Sequence, residues 1–284
     1  MDTAAFLQRI GINGYDGPPR LEALSRLHEA FVDLVPYESV QFQLTLGGPL
    51  EPEEAAKRII AREAGGYCFQ LNGTFALLLT ELGYQVSMHR GGVQTRNNPG
   101  DVDASHMVLT VRGLIEDPDR DWLVDVGLGD GLIHPMPLEA GDAHQHPFTL
   151  RLRASEKTAG WRLDHDPRSS LIGMDFESAT VGLDAFAAQH ARLSTAPDSA
   201  FVRLASAFRR KASSVVVLRS VGLSETYADR VDTSLIEEPT DYFAVLADEF
   251  HLPLPHFTPA DRDQLWRRVW AQYEDFQARM AATS

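Results

Sequence analysis

Leu21, Leu24, Leu27, Phe31 and Leu34 recur at steps of three and four, which predicts a helix with one apolar face, and Pro36 stops it. The same period runs on to about residue 85. It predicts a second helix over 52–64 and a third over 68–82, with Gly83 as C-cap and Gly65-Gly66 breaking the chain between them. Residues 1–85 therefore read as a helical bundle. Beyond Tyr84 the period drops to two: strand-like runs at 86–93, 106–111, 122–126, 148–152 and 161–163 alternate with Gly, Pro, Asp and Asn, so the stretch to about 190 reads as mostly β. Residues 191–284 mix a strand at 214–218 with amphipathic helices opening near Thr240 and Thr258. Thr258, Pro259 and Asp261 suit cap, first-turn and capping-box positions. The last helix carries Leu265, Trp266, Val269, Trp270, Tyr273, Phe276 and Met280 on one stripe, which predicts a face packed into the core. No internal repeat or low-complexity linker interrupts this α+β order.

Composition removes several function classes. With 284 residues, 44% of them hydrophobic, the chain can bury a sizeable core. A formal net charge of −14 opposes binding to nucleic acid or an anionic membrane, both of which need a positive surface. A coenzyme phosphate needs only a local basic patch or a few backbone N–H groups, so an acyl-CoA thioester stays open. No apolar run approaches the length of about eighteen residues that spans a bilayer, and the start lacks a signal-peptide pattern, so a cytoplasmic location is expected. One cysteine cannot form an intramolecular disulfide or a thiolate metal cluster, which leaves Cys68 as packing or chemistry and no metal expected.

A lone cysteine is most often inert buried packing. The neighbours of Cys68 argue otherwise. It follows Gly65-Gly66-Tyr67 and precedes the apolar run Leu71 to Leu82, which puts it in the first turn of a helix, where unpaired N–H groups favour negative charge on sulfur. It shares a helical stripe with Leu71, Phe75, Leu78 and Leu82, so the sulfur should point inward. The two glycines admit a close backbone or substrate. Of ten histidines, His134, His144 and His146 read as loop residues beside Pro or Gly, whereas His106 opens an apolar strand. Asp125 interrupts the apolar strand Trp122-Leu123-Val124-Val126, and a carboxylate buried there needs a charge-assisted partner. The intervening Asp117-Pro118-Asp119 can turn the chain so the two strands pair antiparallel, and one register sets Asp125 opposite His106. Thiol, imidazole and carboxylate then meet the requirements for nucleophile, base and orienting group, without naming a substrate.

The segments around these residues resemble arylamine N-acetyltransferases. Phe6-Leu7-Gln8-Arg9-Ile10-Gly11 looks like the family's opening, and Leu27-His28 with Val35-Pro36-Tyr37-Glu38-Ser39-Val40 resembles its helix and its Ile-Pro-Phe-Glu-Asn-Leu turn. Gly65-Gly66-Tyr67-Cys68-Phe69-Gln70-Leu71-Asn72 is similar to the nucleophile motif. Ser105-His106-Met107 and Trp122-Leu123-Val124-Asp125-Val126-Gly127-Leu128-Gly129 match the histidine and aspartate motifs, and Thr195 to Phe201 is a weaker match. The resemblance implies a helical bundle over 1–85, a β-barrel over 86–190 and a C-terminal α/β lid over 191–284, with a cysteine-protease-like catalytic core. It implies acyl transfer from acetyl-CoA or another acyl thioester, through Cys68, to the nitrogen of an aromatic amine, hydrazine or hydroxylamine, with no permanently bound cofactor. His106 is then the base, Asp125 its orienting group, and Phe69, Leu128 and Gly129 the substrate-binding residues.

Two departures bear on substrate rather than chemistry. Ala64 stands where the family usually has Arg, removing a charge beside the nucleophile, and Arg62 on its helix would face elsewhere. Leu128 stands where the family usually has Phe, so the acceptor pocket should lose an aromatic wall and gain room. A branch of the family, the macrolactam-forming amide synthases, joins an aromatic amine to its own polyketide thioester, and is the first alternative. A transglutaminase-like enzyme or a cysteine hydrolase is the second; a ligand-binding fold with Cys68 as core is the non-enzymatic one. Nothing in the sequence fixes an oligomeric state.

Overall fold

The computed structural model describes residues 1–15, 17–96 and 100–283. The chain begins with α1 (Thr3–Arg9), α2 (Leu21–Leu34), the two-residue strand β1 (Tyr37–Glu38), α3 (Pro52–Arg62) and α4 (Cys68–Glu81). The α4 helix closes as expected: Gly83 takes φ +86° and donates to Thr80 O, while Tyr84 donates to Leu79 O. Phe6, Phe31 and Phe75 meet inside this bundle at ring distances of 5.7 and 5.1 Å. Burying each is worth roughly 1.5–3 kcal/mol, which helps hold α1, α2 and α4 together.

Eight strands follow: β2 (Gln85–Thr95), β3 (His106–Arg112), β4 (Trp122–Val124), β5 (Met136–Pro137), β6 (Gly141–Gln145), β7 (Phe148–Ala154), β8 (Gly160–Asp164) and β9 (Leu171–Thr180). They form one antiparallel sheet in the order β5-β4-β3-β2-β9-β8-β7-β6, curled into a nearly closed barrel around Leu150, Leu152, Leu163, Met174 and Phe176. His144 lies in β6 rather than in a loop. β4 ends at Val124, two residues short of the expected run, so Asp125 begins a turn instead of continuing the strand.

The remaining elements are α5 (Ala187–Thr195), α6 (Ala200–Arg203), β10 (Ser206–Arg210), β11 (Val215–Arg219), β12 (Gly222–Thr226), β13 (Val231–Leu235), α7 (Pro239–Phe250) and α8 (Pro259–Thr283). The lid sheet runs β1-β10-β11-β12-β13, so its first strand comes from the helical region. Alternation along β11 divides its faces: Val216 and Leu218 pack on α7 and α8, Val215 and Val217 on the barrel core. The cap of α8 forms as predicted, with Thr258 N–H and O–H donating to Asp261 and Asp261 N–H donating back to Thr258 Oγ1. The apolar stripe of α8 is core only in part. Leu265 and Val269 are buried, but Phe276 and Met280 are over half exposed because the helix outruns the sheet beneath it. Among the described residues no helix is long and apolar enough to cross a membrane.

Candidate active site

Cys68 opens α4 and is buried, 3% exposed, with its thiol donating to Ser105 O at 3.7 Å. Two close approaches seat it. Gly65 passes so near β1 that a Cβ would lie 2.2 Å from Pro36 O, and Gly127 sits so close to α4 that a Cβ would lie 2.8 Å from the Cα of Cys68. Only glycine allows the helix that Cys68 opens to touch both neighbours.

His106 Nε2–H donates to Asp125 Oδ2 at 2.7 Å, both side chains nearly fully buried. The register differs from the direct opposition expected. Leu109 pairs with Val124 and Thr110 with Leu123, which puts Asp125 level with Val108 and diagonal to His106. Side chains two residues apart on one strand share a face, so the imidazole reaches the carboxylate across that diagonal. The rest of the carboxylate is held too: Asp125 Oδ1 accepts from Asn72 Nδ2 and from Gly127 N–H, each at 2.9 Å. Asn72 also donates to Met107 O at 2.7 Å and accepts from Val126 N–H at 2.9 Å, so one amide ties α4, β3 and the Asp125 turn together. Behind them the buried His28 donates through Nδ1 to Ile133 O and accepts the Asp125 N–H at Nε2.

Burial alone would lower the basicity of His106, but the Asp125 carboxylate, its hydrogen bond and a hydrogen bond to Cys68 push the imidazole up to about 10. Burial pushes His28 down to about 4, against its bonds to Ile133 and Asp125, and keeps it the neutral tautomer this geometry requires. His28 and Asn72 had no role assigned from sequence. The available signals were a histidine inside the apolar face Leu24, Leu27, Phe31 and an amide four residues after Cys68 on its own stripe.

Beyond the Asp125 turn, Leu128 is buried with Leu132 and Met136, and Gly129 adopts φ +79° with the Phe208 ring about 3.1 Å from where its Cβ would stand. Phe208, not singled out from sequence, thus supplies an aromatic face beside Gly129, and the Tyr37 ring meets both Phe208 and Phe201. Phe69, expected to bind substrate, has two aromatic neighbours. It is fully buried, with ring centroids 5.4 Å from Tyr67 and 5.3 Å from Phe186. Ala64 is fully buried and Arg62 exposed. Burial pushes the Glu38 carboxyl up, and Gln41 and the charge of Arg58 oppose this, so the cation near it comes from α3. Among the described residues no group of His, Cys, Asp or Glu could hold a metal ion.

The N-acetyltransferase family profile matches residues 20–258. Over 167 residues the chain is 33% identical to Proansamycin X synthase of Amycolatopsis mediterranei, covering 57% of this chain and 61% of that one. Over 174 residues it is 28% identical to Arylamine N-acetyltransferase 2 of Mesocricetus auratus, covering 61% and 59%. The matched span is thus about three fifths of these relatives' length. The structure of Mycobacterium marinum arylamine N-acetyltransferase in complex with CoA superposes at TM-score 0.84 and 25% identity, over 94% of this chain and 98% of that one.

Proposed function

Because this chain belongs to the arylamine N-acetyltransferase family, we propose that it carries an acyl group from acetyl-CoA or a similar thioester, through Cys68, to the nitrogen of an aromatic amine. The observation that carries this reading is the buried 2.7 Å contact from His106 to Asp125, with the Cys68 thiol at the start of α4 bonded to the carbonyl of Ser105, the residue before His106. Cys68 is the nucleophile, His106 the acid and base, and Asp125 the group that fixes the imidazole. In the first half, the Cys68 thiolate attacks the thioester carbonyl, a new carbon–sulfur bond forms, and CoA leaves with the imidazolium proton. In the second half, the amine attacks the cysteinyl thioester and His106 takes the amine proton. The amide departs, and the thiolate and imidazolium are restored. A cytoplasmic location belongs to the same reading, since acyl-CoA and a reduced thiol meet there.

The test is intact-protein mass spectrometry after mixing with acetyl-CoA alone. One acyl group should appear on the wild type and none on Cys68→Ala, and an aromatic amine should remove it with formation of amide. Rapid loss of the acyl group to water alone would instead make the protein a hydrolase.

A second reading, closure of a macrolactam from an aromatic-amine polyketide thioester, is favoured by the likeness to Proansamycin X synthase and by Leu128 in the smaller form. Acyl transfer to free small arylamines separates the two, because an amide synthase would leave them untouched while accepting a long acyl chain bearing its own amine.

A further inference from the structure

β13 is the last strand of the lid sheet, and among the described residues no element pairs with its outer edge. Proteins commonly guard such an edge with Pro, Lys or a bulge. β13, Val231-Asp232-Thr233-Ser234-Leu235, has none of these: it carries one charge and pairs with β12 in unbroken register from end to end. The turn before it is also anchored. Arg168, from the β8–β9 connection, donates to Tyr227 O at 3.0 Å and to Ala228 O at 2.9 Å, so the edge is held in order before anything meets it.

The ladder shows which main-chain groups are unused. Tyr227 N–H donates to Arg230 O and Ile236 N–H donates to Val221 O. Bonded pairs alternate along an antiparallel ladder, so Asp232 and Ser234 direct their groups to β12, while Val231, Thr233 and Leu235 direct theirs outward. The side chains of these three share the sheet face on which Val215 and Val217 cover the barrel core. They lie past the barrel, however, and Val231 is 51% and Leu235 41% exposed.

The strand is complementary to itself. A two-fold axis can oppose the outward groups of two copies when centred on Asp232, Thr233 or Ser234. Centring on Asp232 sets two carboxylates against each other, and centring on Ser234 sets Val231 against Glu237. Centring on Thr233 covers each Val231 with a Leu235, pairs Thr233 with itself and places Asp232 opposite Ser234. Arg230 then comes diagonal to Glu238 of the second copy, which offsets the one like-charge pair, Asp229 with Glu237, just beyond the strands.

We infer that the outer edge of β13 is a dimerisation site for a second copy of this chain, joined antiparallel about a two-fold axis at Thr233. Two five-stranded lid sheets then become one of ten strands with β1 at each outer end. Tyr37, Phe208, Val217, Ser224 and Thr233 lie in one row across the sheet, so the two Tyr37 residues end that row about 43 Å apart at about 4.8 Å per strand.

Sedimentation velocity should show the wild-type mass rising from 31.5 kDa toward twice that value as concentration climbs through the micromolar range. Added salt should tighten the dimer, because each copy carries a net charge of −14. Thr233→Pro removes an N–H that β12 does not use, and Val231→Lys sets a charge against Leu235. Each should weaken association at least about tenfold while Cys68 still takes up an acyl group. The register has its own readout. Cys68 is the sole cysteine, so Thr233→Cys in a Cys68→Ala background leaves one thiol per chain, with opposed Cα atoms about 5.5 Å apart and within disulfide reach. Mild oxidation should cross-link that variant and leave Val231→Cys, in the same background, uncoupled. A wild type that stays at the mass of one chain overturns the proposal. So does a dimer that survives both Thr233→Pro and Val231→Lys, which would move the contact to another face, such as the exposed Phe276 and Met280 of α8. Cross-linking of Val231→Cys in place of Thr233→Cys overturns the axis at Thr233.

Discussion

Two aspartates five residues apart on one turn each lie near a buried histidine, and only one of the two pairs has the geometry of a catalytic relay. Asp125 and His106 are 2.7 Å apart, every carboxylate oxygen is satisfied, and the imidazole stands between carboxylate and thiol. His165 Nε2 lies 4.0 Å from the Asp130 carboxylate and donates instead to the Asp130 backbone carbonyl at 3.2 Å; Asp130 Oδ1 and His165 Nδ1 have no hydrogen-bond partner among the described residues, and Ser169 donates directly to Asp130 Oδ2 at 2.7 Å. In the second cluster the carboxylate, not the histidine, occupies the middle. Ser169 has no imidazole to take its proton, so serine, histidine and aspartate here make a structural clamp between the turn and the β8–β9 connection. Serine, histidine and aspartate in proximity are therefore insufficient; the order in which they touch decides what they do.

The sharpest way to break this comparison is the same substitution at both aspartates. Asp125→Asn should lower kcat by about 10⁴, the scale of that change in a serine protease triad, because the amide can reverse the hydrogen bond that fixes the imidazole. Asp130→Asn should stay within about threefold in kcat and act mainly on stability, since it touches no reacting atom. Equal losses in acyl-transfer assays would erase the distinction. Next in size is Asn72→Leu, which strands Met107 O and Val126 N–H and takes one of two donors from Asp125 Oδ1. We expect roughly a hundredfold slower acylation from the misplaced carboxylate. Chemical denaturation should also register a loss of about 3 kcal/mol from the stranded groups. Normal acylation in that variant would mean that Gly127 alone suffices to hold Asp125.

The smallest effect is the pH dependence of stability, which the two histidines on either side of Asp125 bend in opposite directions. His106, raised to about 10, binds a proton that the unfolded chain releases near the ordinary value of about 6.5. Its contribution is complete below that value and lost as pH climbs through about 10. His28, lowered to about 4, refuses a proton that the unfolded chain accepts below about 6.5, so stability should fall as pH drops toward 4. Thermal melts across that range should give a dome, with His28→Asn flattening its acid limb and Asp125→Asn its alkaline one. An acid limb unchanged in His28→Asn would show that other groups set it.

Much of this site is legible in the sequence because each member breaks a local pattern: a thiol at a helix start, an imidazole at a strand start, a carboxylate in an apolar run. The length of β4 was not, since Val126 continues the apolar pattern while the chain has already turned at Asp125 under bonds from Asn72 and Gly127. Periodicity reports burial, and burial persists through a turn that lies inside the protein. β1 was equally hidden, because two residues cannot display a period and its partner, β10, lies about 170 positions away. The end of α8 erred in the other direction. Phe276 and Met280 keep the stripe after the surface it would cover has ended.

β1 also has a mechanical meaning. Tyr37 and Glu38 hydrogen-bond to the lid sheet on one edge, while Glu38 N–H donates to Gly66 O at 2.8 Å on the other, just ahead of Cys68. Load applied to the C-terminal sheet therefore has a rigid route of two residues to the start of α4. A lid that swung as a free door would have to tear this tether, so the sheet and the thiol move as one lever arm.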